Sequence, residues 1–100
     1  MTNYLPHEIE LWEIGRLTAN PKNARKHSTE QIQELAASMS FFGFMSAVVA
    51  GSDGVVLAGT ARVRAARELG LLKVPVIVAD HLSESEKQAF AIADNRATAT

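Results

Sequence analysis

Gly59-Thr60-Ala61-Arg62-Val63-Arg64-Ala65 combines residue types and a spacing suited to holding an anion. An apolar run, Val55-Val56-Leu57-Ala58, precedes it, and a helix-like run follows from Ala61 to Leu69. A strand that turns through a glycine into a helix leaves first-turn N–H groups without intrahelical acceptors, where the macrodipole also favours negative charge. Arg62, three residues after Gly59, can add a forked, charge-assisted grip on a phosphate. At about 100° per residue, Ala61, Ala65, Ala66 and Leu69 form one apolar arc. Arg62 falls inside that arc, while Arg64 and Arg67 fall opposite and read as solvated surface. A charge on the core-facing side of a first turn is costly unless it has a partner. The partner is either a bound phosphate or a carboxylate of the chain itself.

Asp94-Asn95-Arg96 is a second candidate, because a carboxylate and an amide side by side can hold magnesium through oxygen. The competing reading places them on the exposed face of a terminal helix. His7, His27 and His81 show no i, i+4 pairing, which argues against structural zinc. His27, beside Arg25 and Lys26, is either a solvated loop residue or a member of the anion site. The absence of cysteine excludes disulfides, thiolate metal sites and cysteine nucleophiles. No serine sits in a Gly-x-Ser-x-Gly elbow.

Around these residues lies a chain of 100 residues, the size of one domain, with an apolar share of 47% that is enough for a core. A formal net charge of −1 gives no global field for nucleic acid. The charge is uneven, however. Arg16, Lys22, Arg25 and Lys26 lie in an acid-free stretch, as do the arginines between Gly54 and Arg67, which is compatible with a local anion-binding face. The longest mostly apolar run, residues 41–50, is too short to span a bilayer, and the N-terminus has no signal-peptide pattern. A cytoplasmic protein without membrane contact is expected.

Ile9, Leu11, Trp12 and Ile14 predict a first strand, with a slip in alternation that a bulge or a change of neighbour would explain. Asn20-Pro21-Lys22-Asn23 marks a turn. Ser28 and Gln31 form a capping box for a helix to about Ser40, carried by Ile32, Leu35, Ala36 and Met39. Gly43 is the expected stop, and Phe41, Phe42 and Phe44 the expected core plugs. Residues 47–50 and 55–57 around Ser52-Asp53-Gly54 predict a hairpin, followed by the arginine helix ending at Gly70. Residues 74–78 predict a strand that Pro75 places at an edge or begins. Ser83 and Glu86 open a final helix with Ala89, Phe90, Ile92 and Ala93 on one face. The expected fold class is α+β, a small mixed β-sheet packed with three or more helices, with Ile32, Leu35, Met39, Val48 and Val76 buried. The last helix runs toward the chain end, so a further domain is expected to follow this one.

With these residues in hand, the chain resembles the N-terminal domain of the ParB/sulfiredoxin superfamily, the ParB-like nuclease domain, in its phage, mobile-element or methyltransferase-associated form. The resemblance covers residues 8–96, within a single domain spanning residues 1–100. Asn20-Pro21-Lys22-Asn23-Ala24-Arg25 resembles the family's Asn-Pro…Arg loop. Residues 59–65 resemble its Gly-Glu-Arg-Arg-x-Arg-Ala box, and Ala93-Asp94-Asn95-Arg96 its Glu-Asn box. Leu69-Gly70-Leu71 and residues 74–78 are similar to the Leu-Gly-Leu…Val-Pro-Val-Ile stretch.

In the partition proteins the arginine box binds the triphosphate of a cytidine nucleotide, CTP, and the Glu-Asn box helps hold magnesium. The resemblance therefore implies phosphate contacts at Gly59, Thr60, Ala61, Arg62, Arg64, Asn20 and Arg25, and a magnesium site at Asp94 and Asn95. Thr60 and Ala61 replace the family's Glu and first Arg, and no cysteine stands in the box, which excludes sulfiredoxin activity. The function implied is a DNA-associated, nucleotide-linked switch or accessory module for DNA partition or modification. DNA would be engaged indirectly or through a missing C-terminal domain, and the protein could pair as a homodimer. The alternatives are catalytic, a ParB-like nuclease or a nucleotide-dependent phosphotransferase or triphosphatase, or a phosphate-free interaction domain. Phosphodiester hydrolysis usually needs several carboxylates around metal ions, and the basic stretches contain none.

Overall fold

The computed structural model describes residues 8–20 and 27–98. In chain order it has β1 (Ile9–Glu13), a 3-10 turn (Ile14–Arg16), α1 (Thr29–Phe42), β2 (Val48–Ala50), β3 (Val56–Ala58), α2 (Thr60–Glu68), β4 (Lys73–Val78) and α3 (Glu84–Thr98). The strands form one mixed sheet in the order β1-β4-β2-β3. β1 runs antiparallel to β4, β4 parallel to β2, and β2 antiparallel to β3. The α+β expectation is met.

Strand alternation divides the sheet's two faces between different helices. Val48, Ala50, Val56, Val74 and Val76 share a buried cluster with Ile32 and Met39 of α1 and Val63, Ala65 and Ala66 of α2. Their sequence neighbours Val49 and Leu57 pack instead with Phe90 and Ala91 of α3. The cleft described below opens where α1, the β3–α2 turn and α3 come together.

Both expected capping boxes are present. At α1, Gln31 N–H donates to Ser28 Oγ and Ser28 N–H to Gln31 Oε1, each at 3.1 Å. At α3, Glu86 N–H donates to Ser83 Oγ at 3.2 Å and Ser83 N–H to Glu86 Oε1 at 2.8 Å. The hairpin turns through Gly54, whose φ is 88°, and a Cβ there would collide with the Arg16 carbonyl. That close approach lets Thr18 N–H donate to Gly54 O and Val56 N–H to Thr18 O, both at 2.9 Å.

Several expectations need correcting. α1 runs to Phe42, two residues past Ser40, and Gly43 then stops it with φ 88°. Phe41 and Phe42 are not core plugs: they are 78% and 68% exposed. Met39 is the last residue of α1 to turn inward; beyond it the two rings meet each other at 4.7 Å. Phe44 is half-buried, as is Leu35, while Ile32, Met39, Val48 and Val76 are buried as expected. The slip in β1 is neither a bulge nor a new neighbour. The strand ends at Glu13, and Ile14 begins the 3-10 turn.

Pro75 is neither at a sheet edge nor the first residue of its strand, since β4 is an interior strand beginning at Lys73. Opposite β1 it pairs with Leu11, but the β2 ladder begins only at Val76. A proline nitrogen facing that side forfeits no ladder bond. On α3 the buried residue is Ala91, with Phe90 half-buried, whereas Ala89, Ile92 and Ala93 are exposed. The helix packs mainly on β3, the sheet's last strand, so a narrow side of it suffices.

Candidate functional site

β3 ends at Ala58, Gly59 takes the left-handed conformation with φ 103° and ψ 20°, and α2 begins at Thr60. A Cβ on Gly59 would lie 3.4 Å from the Val48 Cα, so both backbone conformation and close packing favour glycine. The first bond α2 makes to this turn is Val63 N–H to Gly59 O at 3.0 Å. Glycine offers no capping side chain, and among the described residues none other caps the helix start. The first-turn N–H groups therefore face outward without a side-chain acceptor.

This turn forms one wall of a cleft of about 650 Å³. Gly59, Thr60, Ala61 and Arg62 line it together with Asp94 and Asn95 of α3. His27, just before the chain's first helix, and Gln31, Glu34 and Leu35 of that helix also line it, as do Ser46 and Ala47. Arg62 is half-buried. Among the described residues no carboxylate lies within ion-pair distance of it, and no acceptor takes its N–H groups. The internal salt bridge offered as its alternative partner is therefore absent among those residues.

The residues expected at a site divide clearly. Gly59, Thr60, Ala61, Arg62, Asp94 and Asn95 come together, although Asp94 and Asn95 lie 32 residues or more beyond Arg62 in sequence. His27 joins them. Arg64 is exposed and Asn20 half-buried, and neither lines the cleft. Arg25 and the rest of the 21–26 loop lie outside the described residues. Arg67 is not simply solvated: it donates to Leu17 O at 2.9 Å and to Ile14 O at 3.4 Å. It ties the second helix to the segment after the first strand.

Sequence reasoning missed Gln31, Glu34, Ser46 and Ala47. The signal for the first two was their spacing: Gln31, Glu34 and Leu35 lie three and one residues apart, on one side of the predicted helix. Among the described residues the lining holds one guanidinium, Arg62, and two carboxylates, Glu34 and Asp94. Among the described residues no group of three His, Asp or Glu side chains converges as a metal cage.

Comparison with known proteins fits this geometry. The chain is 44% identical over 75 residues to the ParB-like nuclease domain-containing protein YnaK of Escherichia coli (strain K12), covering 75% of this chain and 86% of that protein. It is 42% identical over 86 residues to the probable chromosome-partitioning protein ParB of Treponema pallidum (strain Nichols), covering 79% of this chain but 26% of that one. Among solved structures it superimposes on the C-terminally truncated ParB of Caulobacter crescentus complexed with CTP-gamma-S. The TM-score is 0.79 at 24% identity, over 94% of this chain and 56% of that chain. The same Caulobacter protein complexed to the centromeric parS site gives a TM-score of 0.73 at 25% identity, over 90% and 48%. The chain thus spans about half of the Caulobacter chains and about a quarter of the Treponema protein. The sequence model of the ParB N-terminal domain matches residues 3–96, nearly the whole length, and with the shared fold this establishes that the chain belongs to the ParB N-terminal domain family.

Proposed function

We propose that the cleft binds a nucleotide with its phosphates at the start of α2, and that the domain acts as a nucleotide-linked switch or accessory in DNA partition or modification. Arg62 carries this reading. It is a half-buried guanidinium without a partner among the described residues, beside uncapped helix N–H groups. A phosphate there would accept from both, in the geometry that favours bidentate arginine contacts. The CTP-gamma-S complex of the Caulobacter relative makes CTP the first nucleotide to test.

Asp94 and Asn95 would approach a magnesium ion carried by the phosphates. Magnesium keeps several waters and commonly takes only one or two protein carboxylates beside substrate phosphates. A cation accompanying the nucleotide would also offset the two carboxylates of the lining. In this reading the protein works in the cytoplasm, DNA is engaged indirectly or by way of a C-terminal domain, and two copies can pair.

Thermal shift with a panel of nucleotides, with and without magnesium, tests the reading. A ligand that binds only the folded state stabilises by about 2.7 kcal/mol at 100 times its dissociation constant. Asp94→Ala should abolish the magnesium dependence of that shift. No shift with any nucleotide or with inorganic triphosphate, under either condition, would reject the proposal.

A further inference from the structure

The lining of the cleft mixes two chemistries. Arg62 and the open first turn of α2 contribute to it from one helix, and Glu34 of α1 from another. Among the described residues nothing donates a hydrogen bond to the Glu34 carboxylate, and no cation pairs with it. Gln31, one turn earlier on the same face of α1, already spends its Oε1 on the Ser28 N–H. Arg62 and Glu34 carry opposite charges in one cleft, yet they do not form an ion pair. Neither is used up by the other, so both remain available to a molecule in the cleft.

A bare phosphate would satisfy Arg62 and be repelled by Glu34. A molecule with an anion at one end and hydrogen-bond donors on its body satisfies both. We infer that Glu34 is a specificity-determining residue of this cleft, accepting a hydrogen bond from a hydroxyl or amino group on the nucleoside part of a phosphorylated nucleoside. The inference rests on the nucleotide reading above and extends it from the phosphates to the rest of the ligand. Glu34 then selects nucleotides over the inorganic phosphates that share their charged end. An ionised acceptor strengthens such a bond, and repulsion of an unaccompanied anion sharpens the choice.

Calorimetric titration of the full chain and of Glu34→Ala with CTP and with inorganic triphosphate, both in magnesium, tests this. Glu34 is exposed on the surface of α1, so its truncation leaves the core untouched, and circular dichroism melting checks the fold. CTP affinity should fall about tenfold in Glu34→Ala, while inorganic triphosphate binds equally well or more tightly. Titrations with 2′-deoxy-CTP and UTP identify the donor. The analogue that binds the full chain and Glu34→Ala alike is the one lacking the group that Glu34 accepts from. Equal losses for CTP and inorganic triphosphate would make Glu34 a general contributor, through the metal or the helix, and overturn the inference while leaving nucleotide binding standing. Unchanged CTP affinity would overturn it in the same way. Failure of the full chain to bind either probe would overturn both the inference and the nucleotide reading.

Discussion

The three helices of this domain begin in two different ways. α1 and α3 each close their own first turn with a serine and a side chain three residues on, Gln31 or Glu86. α2 begins at a left-handed glycine with no side-chain cap, and it does so at the wall of the cleft. Replacing a serine cap by alanine costs about 0.5–2 kcal/mol but by glycine only a few tenths, so the open start at Gly59 forgoes little stability. In the closed starts, sequence neighbours satisfy the backbone donors. In the open one, the donors stay available to a ligand.

The largest expected effect contrasts two arginines of the open helix. Arg62→Ala should weaken nucleotide binding by about 1.5–3 kcal/mol, the scale of hydrogen bonds to charged groups, with little change in melting temperature. Arg67→Ala should do the reverse. Its lost bonds to the Leu17 and Ile14 carbonyls lower the melting temperature, and nucleotide affinity stays near its original value. Equal losses of affinity from the two variants would indicate a diffuse basic surface, and the contrast between open and closed starts would lose its meaning.

Next in size are the closed starts. Ser28→Ala and Ser83→Ala should each destabilise the fold by about 1 kcal/mol in urea titrations. Ser83→Ala should leave ligand affinity unchanged, because neither Ser83 nor its partner Glu86 lines the cleft. A loss of affinity from Ser83→Ala would show that cap and cleft are coupled.

The smallest effect is a pH dependence. Bonds from the Ser83 backbone N–H, then from its side chain, hold the Glu86 carboxyl below its ordinary value of 4.5, with a lesser pull from His81. A carboxyl lowered on folding contributes stability above its unfolded value, and that contribution disappears as pH falls through the folded value. Melting temperature should therefore decline on acidification below about pH 4.5. Glu86→Gln should be less stable than the original chain at neutral pH, and the gap should narrow in acid. A gap that holds constant from pH 7 to pH 3 would show that the charge of this cap does not matter.

Much of this molecule is legible in its sequence, because much of it is decided between near neighbours. Ser28 with Gln31 and Ser83 with Glu86 cap helices across three residues, and Gly43, Gly54 and Gly59 mark turns through their own backbone freedom. The strand-glycine-helix turn that places Gly59 and Arg62 was recognisable for the same reason: it is a local structure. Other features depended on distant partners. Pro75 could be placed in an interior strand only by knowing that the β2 ladder starts at Val76. Arg67 finds its acceptors 50 and 53 residues away. α3 buries Ala91 and exposes Ile92 because it packs mainly on the last strand, β3. The meeting of Glu34 and Arg62 in one cleft lining belongs with these. Local chemistry determined the caps, the turns and the glycine-led helix start; packing between distant segments decided strand order, which helix faces are buried, and which residues share the cleft, since contact energies between such segments are not encoded in any single stretch.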